Sequence, residues 1–333
     1  MTDKEVTTIL SKVNELNNFL IMAHINPEGD SIGSQLGLAD LLRQQGKKYR
    51  IINDDPVPKN LMFLPGAEKI EEFGKIKDQN FNIYDFDAAI ILDCPVLERI
   101  GKIKEKLENL MIINIDHHFS NQAYGDINWI QTQASSAGEM VYEMFQSSKA
   151  KIDRQTAVCL YTAIMTDTGS FRYTNTTIKT HLIIAELLKL NVNPTLIYEY
   201  VYETKSFAAL KLLAQVLLNM QRSADGKFIW FKVTNQMLLE HNLTQEATED
   251  FINFVRMVEG TEVVAFLREL AQPNVTKVSL RSKKNIDVNS IARVFSGGGH
   301  KAASGCIINE NIQKAEKLLI KEWEKIFKSR LGE

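Results

Sequence analysis

Carboxylates and imidazoles stand directly behind apolar runs at four places in the chain: His24-Ile25-Asn26-Pro27-Glu28-Gly29-Asp30, Ile90-Ile91-Leu92-Asp93, Ile113-Asn114-Ile115-Asp116-His117-His118, and Asp167 after Leu160–Thr166. In open α/β sheets, ligands bind just beyond the carboxyl ends of strands. Taken singly, each residue reads as an ordinary turn or cap residue. Together they supply nitrogen and oxygen donors and no thiolate, which suits two divalent cations bridged by a carboxylate, the arrangement that clamps both oxygens of a phosphoryl transfer. Imidazole among the donors favours Mn2+ over an all-oxygen Mg2+ site, with Mg2+ or Co2+ as alternatives.

These residues require elements that bring them to one rim. Phe19–Ala23, Tyr49–Ile52, Ala88–Leu92 and Met111–Ile115 are short and rich in β-branched residues, which predicts strands. Between them the spacing predicts helices over Ser31–Gln45, from the Ser136–Glu139 capping box through Phe145, and over Thr156–Met165 and Ile178–Leu190. Pro27 and Gly29 predict a tight, non-helical path between His24 and the first of these helices. Thr195–Tyr202 and Ser206–Arg222 read as connecting helices. Strands at Phe228–Thr234, Glu262–Leu267 and Thr276–Arg281 and helices at Gln245–Glu259, Val288–Phe295 and Ile312–Phe327 then begin a second pattern. The expectation is an α/β protein, with a mostly parallel sheet in residues 1–192, a helical connector over 193–225 and a smaller α/β domain over 226–333.

Composition excludes several function classes. With 39 Lys plus Arg against 41 Asp plus Glu in 333 residues, the chain has no broad basic surface for duplex DNA. Three cysteines without C-x-x-C spacing suggest neither a disulfide framework nor structural zinc, so a reducing cytoplasm is the expected setting. The N-terminus lacks a signal-peptide pattern, and no run approaches the ~18 apolar residues of a membrane span. The aromatic residues Tyr198, Tyr200 and Tyr202 alternate with charge and read as packing groups rather than a base-stacking platform.

His24-x-x-Pro27-Glu28-x-Asp30, Asp93, Asp116-His117-His118, Asp167 and the distal Gly297-Gly298-Gly299-His300 resemble, in order and across nearly the whole chain, the motifs of the DHH phosphoesterase superfamily with its DHHA1 domain. The nearest branch comprises nanoRNases that also dephosphorylate adenosine 3′,5′-bisphosphate, and related pApA or cyclic-dinucleotide phosphodiesterases. The resemblance implies that His24, Glu28 and Asp93 hold one metal and Asp30, Asp93, His117 and Asp167 the other. It further implies a metal-activated hydroxide as attacking group, His118 on the phosphate, and Asp116 orienting an imidazole. Arg172, Arg281, Gly298, Gly299, His300 and Lys301 would bind substrate, a short single-stranded oligoribonucleotide or nucleotide, in a cleft between the domains. Related proteins suggest a homodimer.

The family pattern has Asp where this chain has Glu28. The extra methylene displaces the carboxylate by ~1.5 Å, against a tolerance of ~0.5 Å in a prepared site. Ligation through another rotamer and a weakly held first metal both remain open. Two further functions compete. One is a manganese inorganic pyrophosphatase, whose Ser-Arg-Lys-Lys-Gln type signature compares with Arg281-Ser282-Lys283-Lys284-Asn285; the other is a nucleotide-binding protein with weak or no turnover.

Overall fold

The computed structural model describes residues 4–77, 81–283 and 286–331, with His300 and 326–331 described by their backbone. Contacts divide the chain into two compact units, Met1–Thr204 and Lys205–Glu333, a boundary that falls within the segment expected to connect the domains.

In the first unit, β1 (Asn18–Met22), β2 (Lys48–Asn53), β3 (Glu71–Glu72), β4 (Ala88–Leu92), β5 (Met111–Asp116) and β6 (Ile127–Ile130) form one sheet. Its order is β3-β2-β1-β4-β5-β6 and every pairing is parallel. Successive side chains on a strand point to opposite faces, so strands covered on both sides are apolar at every position. Phe19 and Ile21 of β1, Ile90 and Leu92 of β4, and Ile113 and Ile115 of β5 join one core; Leu20, Met22, Ala89 and Ile91 join another, closed by Ile100, Ile103 and Leu107. The helices are α1 (Lys4–Glu15), α2 (Gly29–Gln44), α3 (Ala137–Ser148), α4 (Arg154–Asp167), α5 (Ile178–Leu188) and α6 (Pro194–Tyr202).

In the second unit, α7 (Phe207–Leu218), α8 (Asn235–Glu240), α9 (Phe251–Arg256), α10 (Val288–Val294) and α11 (Ile312–Leu331) accompany β7 (Gln221–Arg222), β8 (Phe228–Val233), β9 (Val263–Glu269), β10 (Thr276–Ser282), β11 (Gly298–His300) and β12 (Ala303–Ile308). The strands lie in the order β11-β12-β10-β9-β8-β7, with β8 and β9 parallel and the other pairs antiparallel. No described helix is long and apolar enough to cross a membrane.

Several sequence expectations are corrected. Gly29 is the first residue of α2, because Glu28 is extended at the N-cap and its carbonyl already accepts from Ile32 N at 3.0 Å. The helix expected over Ser206–Arg222 stops at Leu218, since Gln221 and Arg222 pair with Trp230 and Ile229. The one expected over Gln245–Glu259 is broken. The Gln245 side chain donates to Glu269 O at 2.7 Å, holding Gln245–Thr248 as a 3-10 turn ahead of α9. The edge strands β3 and β6 carry weak sequence signals and are not predicted, and helix α1 is missed although Val6, Ile9, Leu10 and Val13 stand at helical spacing and are all buried.

Helix α2 lies unusually close to α4. A Cβ at Gly33 would overlap Cys159 O and stand 2.9 Å from Ala163 Cβ, and one at Gly37 would stand 2.7 Å from Leu160 Cδ2. Gly33→Ala is therefore expected to destabilise the protein by ~1–3 kcal/mol in urea unfolding, the usual cost of overpacking. Gly74→Ala, where a Cβ meets open space and φ is not positive, is expected to change stability far less.

Candidate metal centre

The predicted rim residues come together from five elements, β1, α2, β4, β5 and α4. Asp93, directly behind β4, has a left-handed φ of 54° and is 1% exposed. Its Oδ1 stands 3.5 Å from His117 Nε2 and 3.7 Å from His118 Nδ1, and its Oδ2 stands 3.4 Å from His24 Nε2. Asp30, in the first turn of α2, and Asp167, at the end of α4, stand 3.7 and 3.6 Å from His117 Nε2. Ligand atoms of Asp30, His117 and Asp167 lie within 4.8 Å of one another, as do those of His24, Glu28 and Asp93, and those of Asp93, Asp116, His117 and His118.

Burying so many carboxylates requires compensation. Asp30 is fully buried, and its two oxygens accept from Ala137 N at 2.7 Å and Gly138 N at 2.8 Å, at the start of α3. Those amide donors and the positive end of the helix favour the charged form. Burial nevertheless raises the Asp30 carboxyl well above its ordinary range, helped by Asp93 and Asp167. Burial likewise pushes Asp167 up to about 7, with Asp93 and Glu28 adding to it against His117. Burial also raises Asp93, but His117 and His24 outweigh it and hold that carboxyl well below its usual value. For His117, burial pulls the imidazole down while Asp93, Asp30 and Asp167 lift it to about 10.

This donor set fits a divalent cation. His117 Nε2 is buried and makes no hydrogen bond, although three carboxylates surround it at 3.5–3.7 Å. Ligands held ~2.1 Å from a shared ion stand roughly 3–3.5 Å apart, so the spacing suits a common ion better than direct hydrogen bonds. A cation would also offset the crowding of negative charge that, with burial, raises the Asp30 and Asp167 carboxyls.

Other predicted residues stand apart from that cage or at its edge. Glu28 keeps contact with solvent, and its carboxyl is raised, first by desolvation and then by Asp93. His118 Nδ1 donates to Asp116 Oδ1 at 2.8 Å, leaving Nε2 as the ring atom available to a ligand. Arg172 is exposed in the turn after α4, with Nε donating to Gly169 O at 2.8 Å. Gly169, Ser170 and Phe171 there are all left-handed, at φ 56°, 59° and 64°. Arg281 is half-buried on β10 and its Nη1 donates to Leu280 O at 3.0 Å.

The glycine segment is a hairpin strand rather than an open loop. A Cβ at Gly297 would overlap Gly305 O, and one at Gly299 would lie 2.6 Å from Ala303 O, so two of the three glycines serve strand packing. Gly298 faces open space and Lys301 is exposed. The His300 side chain, Lys284 and Asn285 lie outside the described residues.

Sequence reasoning missed Ser31 and Asn121. Ser31 Oγ donates to Asp93 Oδ2 at 2.7 Å and lies 3.0 Å from His24 Nε2, joining the two. Asn121 Nδ2 donates to Asp116 Oδ2 at 2.5 Å. The position of Ser31 beside Asp30 in a first helical turn was the available signal; Asn121 had none.

Residues 18–164 match the family model for the DHH family, N-terminal domain, and residues 225–329 match that for the DHHA1 domain. A probable bifunctional oligoribonuclease and PAP phosphatase NrnA from Streptococcus mutans is 29% identical, over 94% of this chain and 98% of that protein. The bifunctional oligoribonuclease and PAP phosphatase NrnA from Thermus thermophilus is 30% identical, over 86% of this chain and 83% of that protein. Among solved structures, an exopolyphosphatase-related protein from Bacteroides fragilis superposes with a TM-score of 0.91 at 29% identity, over 99% of this chain and 98% of that one.

Adding Mn2+ to metal-free protein is expected to raise its thermal midpoint, because a ligand that binds only the folded state stabilises it. Asp93→Asn should abolish most of that rise, which differential scanning calorimetry measures directly.

Proposed function

Because the chain belongs to the DHH family, with a DHH N-terminal domain followed by a DHHA1 domain, we propose that it is a Mn2+-dependent phosphoric ester hydrolase. Its substrates are very short single-stranded oligoribonucleotides or dinucleotides such as pApA, and adenosine 3′,5′-bisphosphate. The buried His117 Nε2, unpartnered within a cage of three carboxylates, carries the hydrolytic reading. The names of the relatives supply the substrate class.

In this reading His24, Glu28 and Asp93 hold one cation and Asp30, Asp93, His117 and Asp167 the other, with Asp93 shared. When bound, the two cations supply positive charge for the phosphoryl oxygens and make water ionisable near neutral pH. The protein residues orient the reaction. Asp116 holds His118 by Nδ1, so that Nε2 meets the phosphate and steadies the leaving oxygen. Ser31 keeps Asp93 and His24 at a fixed separation. The amides of Ala137 and Gly138 keep Asp30 in one rotamer. Arg172, Arg281, Gly298, Gly299, His300 and Lys301 bind the substrate's remaining phosphate and ribose groups. Gly298 is exposed and a Cβ there would meet only open space, so an anion would find room to approach the backbone at that point.

Incubation with pApA, longer oligoadenylates, adenosine 3′,5′-bisphosphate and pyrophosphate, each with Mn2+ or Mg2+, tests the reading. Turnover of the nucleotides, faster with Mn2+, is expected, and Asp93→Ala should lower it at least ~100-fold. Release of orthophosphate from pyrophosphate alone would overturn the nucleotide substrate, and no turnover of anything would leave a nucleotide-binding protein.

Glu28→Asp is expected to change the ratio of Mn2+- to Mg2+-supported rates. An unchanged ratio would remove residue 28 from the metal shell.

A further inference from the structure

Phe119, which follows His118, is 95% exposed, more than any other large apolar side chain among the described residues. A lone exposed apolar residue needs no explanation in general. This one sits on the most heavily braced turn of the rim. Asn121 N donates back to His118 O at 3.2 Å, closing a turn with Phe119 and Ser120 at its corners. The Asn121 side chain donates to Asp116 Oδ2 at 2.5 Å and Asn114 Oδ1 at 2.8 Å, and accepts from Ala123 N at 2.7 Å. Asn114 Nδ2 in turn reaches the Tyr124 hydroxyl at 3.0 Å, which donates to Cys94 O at 2.9 Å. One largely buried network therefore orients the Asp116–His118 pair and fixes the backbone of the turn from which the phenyl ring projects into water.

The other aromatic groups considered for stacking are occupied. Tyr200 stacks on Phe63 with centroids 4.6 Å apart, and Tyr198 packs on Tyr202 at 4.9 Å. Phe119 has no ring partner among the described residues. Consecutive Cα atoms are ~3.8 Å apart, so the exposed ring branches from the backbone immediately beside that of His118. The ring offers a flat apolar face and no hydrogen-bonding group, so it would accept any base.

We propose that Phe119 is a stacking platform for the nucleobase nearest the phosphate held by His118, making substrate recognition dependent on a base but tolerant of its identity. This rests on the nucleotide reading above. Calorimetric titration of the Mn2+-loaded protein with adenosine 5′-monophosphate, uridine 5′-monophosphate and ribose 5-phosphate tests it without turnover. Wild type is expected to bind both nucleotides about 5- to 150-fold tighter than ribose 5-phosphate, the range that stacking of one base supplies. In Phe119→Ala that ratio should fall towards one, and in Phe119→Trp it should persist. Equal affinity for nucleotide and ribose 5-phosphate in wild type, or an unchanged ratio in Phe119→Ala, overturns the platform while leaving phosphate binding intact. A change of sedimentation in Phe119→Ala with the ratio unchanged would instead assign the ring to a protein contact. Binding of none of the three compounds would overturn the nucleotide reading along with it.

Discussion

The rim depends on how closely α2 approaches α4. Gly33 and Gly37 face Cys159, Ala163 and Leu160 with no room for a side chain, and Gly29 faces Thr166 in the same way. The spacing of four residues keeps these glycines on one face of the helix. That face holds the start of α2, which carries Asp30, against the end of α4, which carries Asp167. Gly138, where a Cβ would overlap Ala163, lets the start of α3 enter the same corner and present its amides to Asp30. A wider spacing of these helices would separate Asp30 and Asp167 from His117 while leaving each local sequence unchanged.

Close packing at this corner concentrates negative charge. Asp30, Asp93 and Asp116 are nearly or fully buried, and each is answered differently. Asp30 has helix amides, Asp93 has Ser31 and the flanking imidazoles, and Asp116 has His118 and Asn121. The compensation is incomplete where Asp30, Asp93 and Asp167 face one imidazole atom. Residual like-charge repulsion at that point would favour a cation, since a divalent ion would offset it and supply the missing partner of His117. Asp93 completes the β4–β5 ladder, its amide donating to Ile115 O at 3.1 Å, and its left-handed φ of 54° marks the point where the chain leaves the strand with the carboxylate beside the imidazoles.

The sheet of the first unit was legible because β4 is apolar throughout and β1 is apolar from Phe19 to Met22, a pattern that fits parallel strands covered on both faces. Ala88–Leu92 was expected with its observed bounds, and β1, β2 and β5 to within one residue at an end. The edge strands were not legible. β3 has only two residues, and Asn128 interrupts the apolar run of β6, since an edge is not covered on both sides. The glycine segment before His300 was ambiguous in the sequence for a different reason. Glycine permits close approach of either an anion or a second strand, and here Gly297 and Gly299 face β12.

The sequence alone determined which residue types stand behind the strands, and hence that nitrogen and oxygen donors without thiolate gather at one end of a parallel sheet. It also determined the order of the motifs that identify the family. The tertiary structure decided which donors share an ion-sized space, that Ser31 joins His24 to Asp93, and that Asn121 holds Asp116 and closes the turn on which Phe119 stands exposed. These contacts join residues brought together by strand order, helix approach and turn closure, so their distances depend on packing that no local pattern encodes.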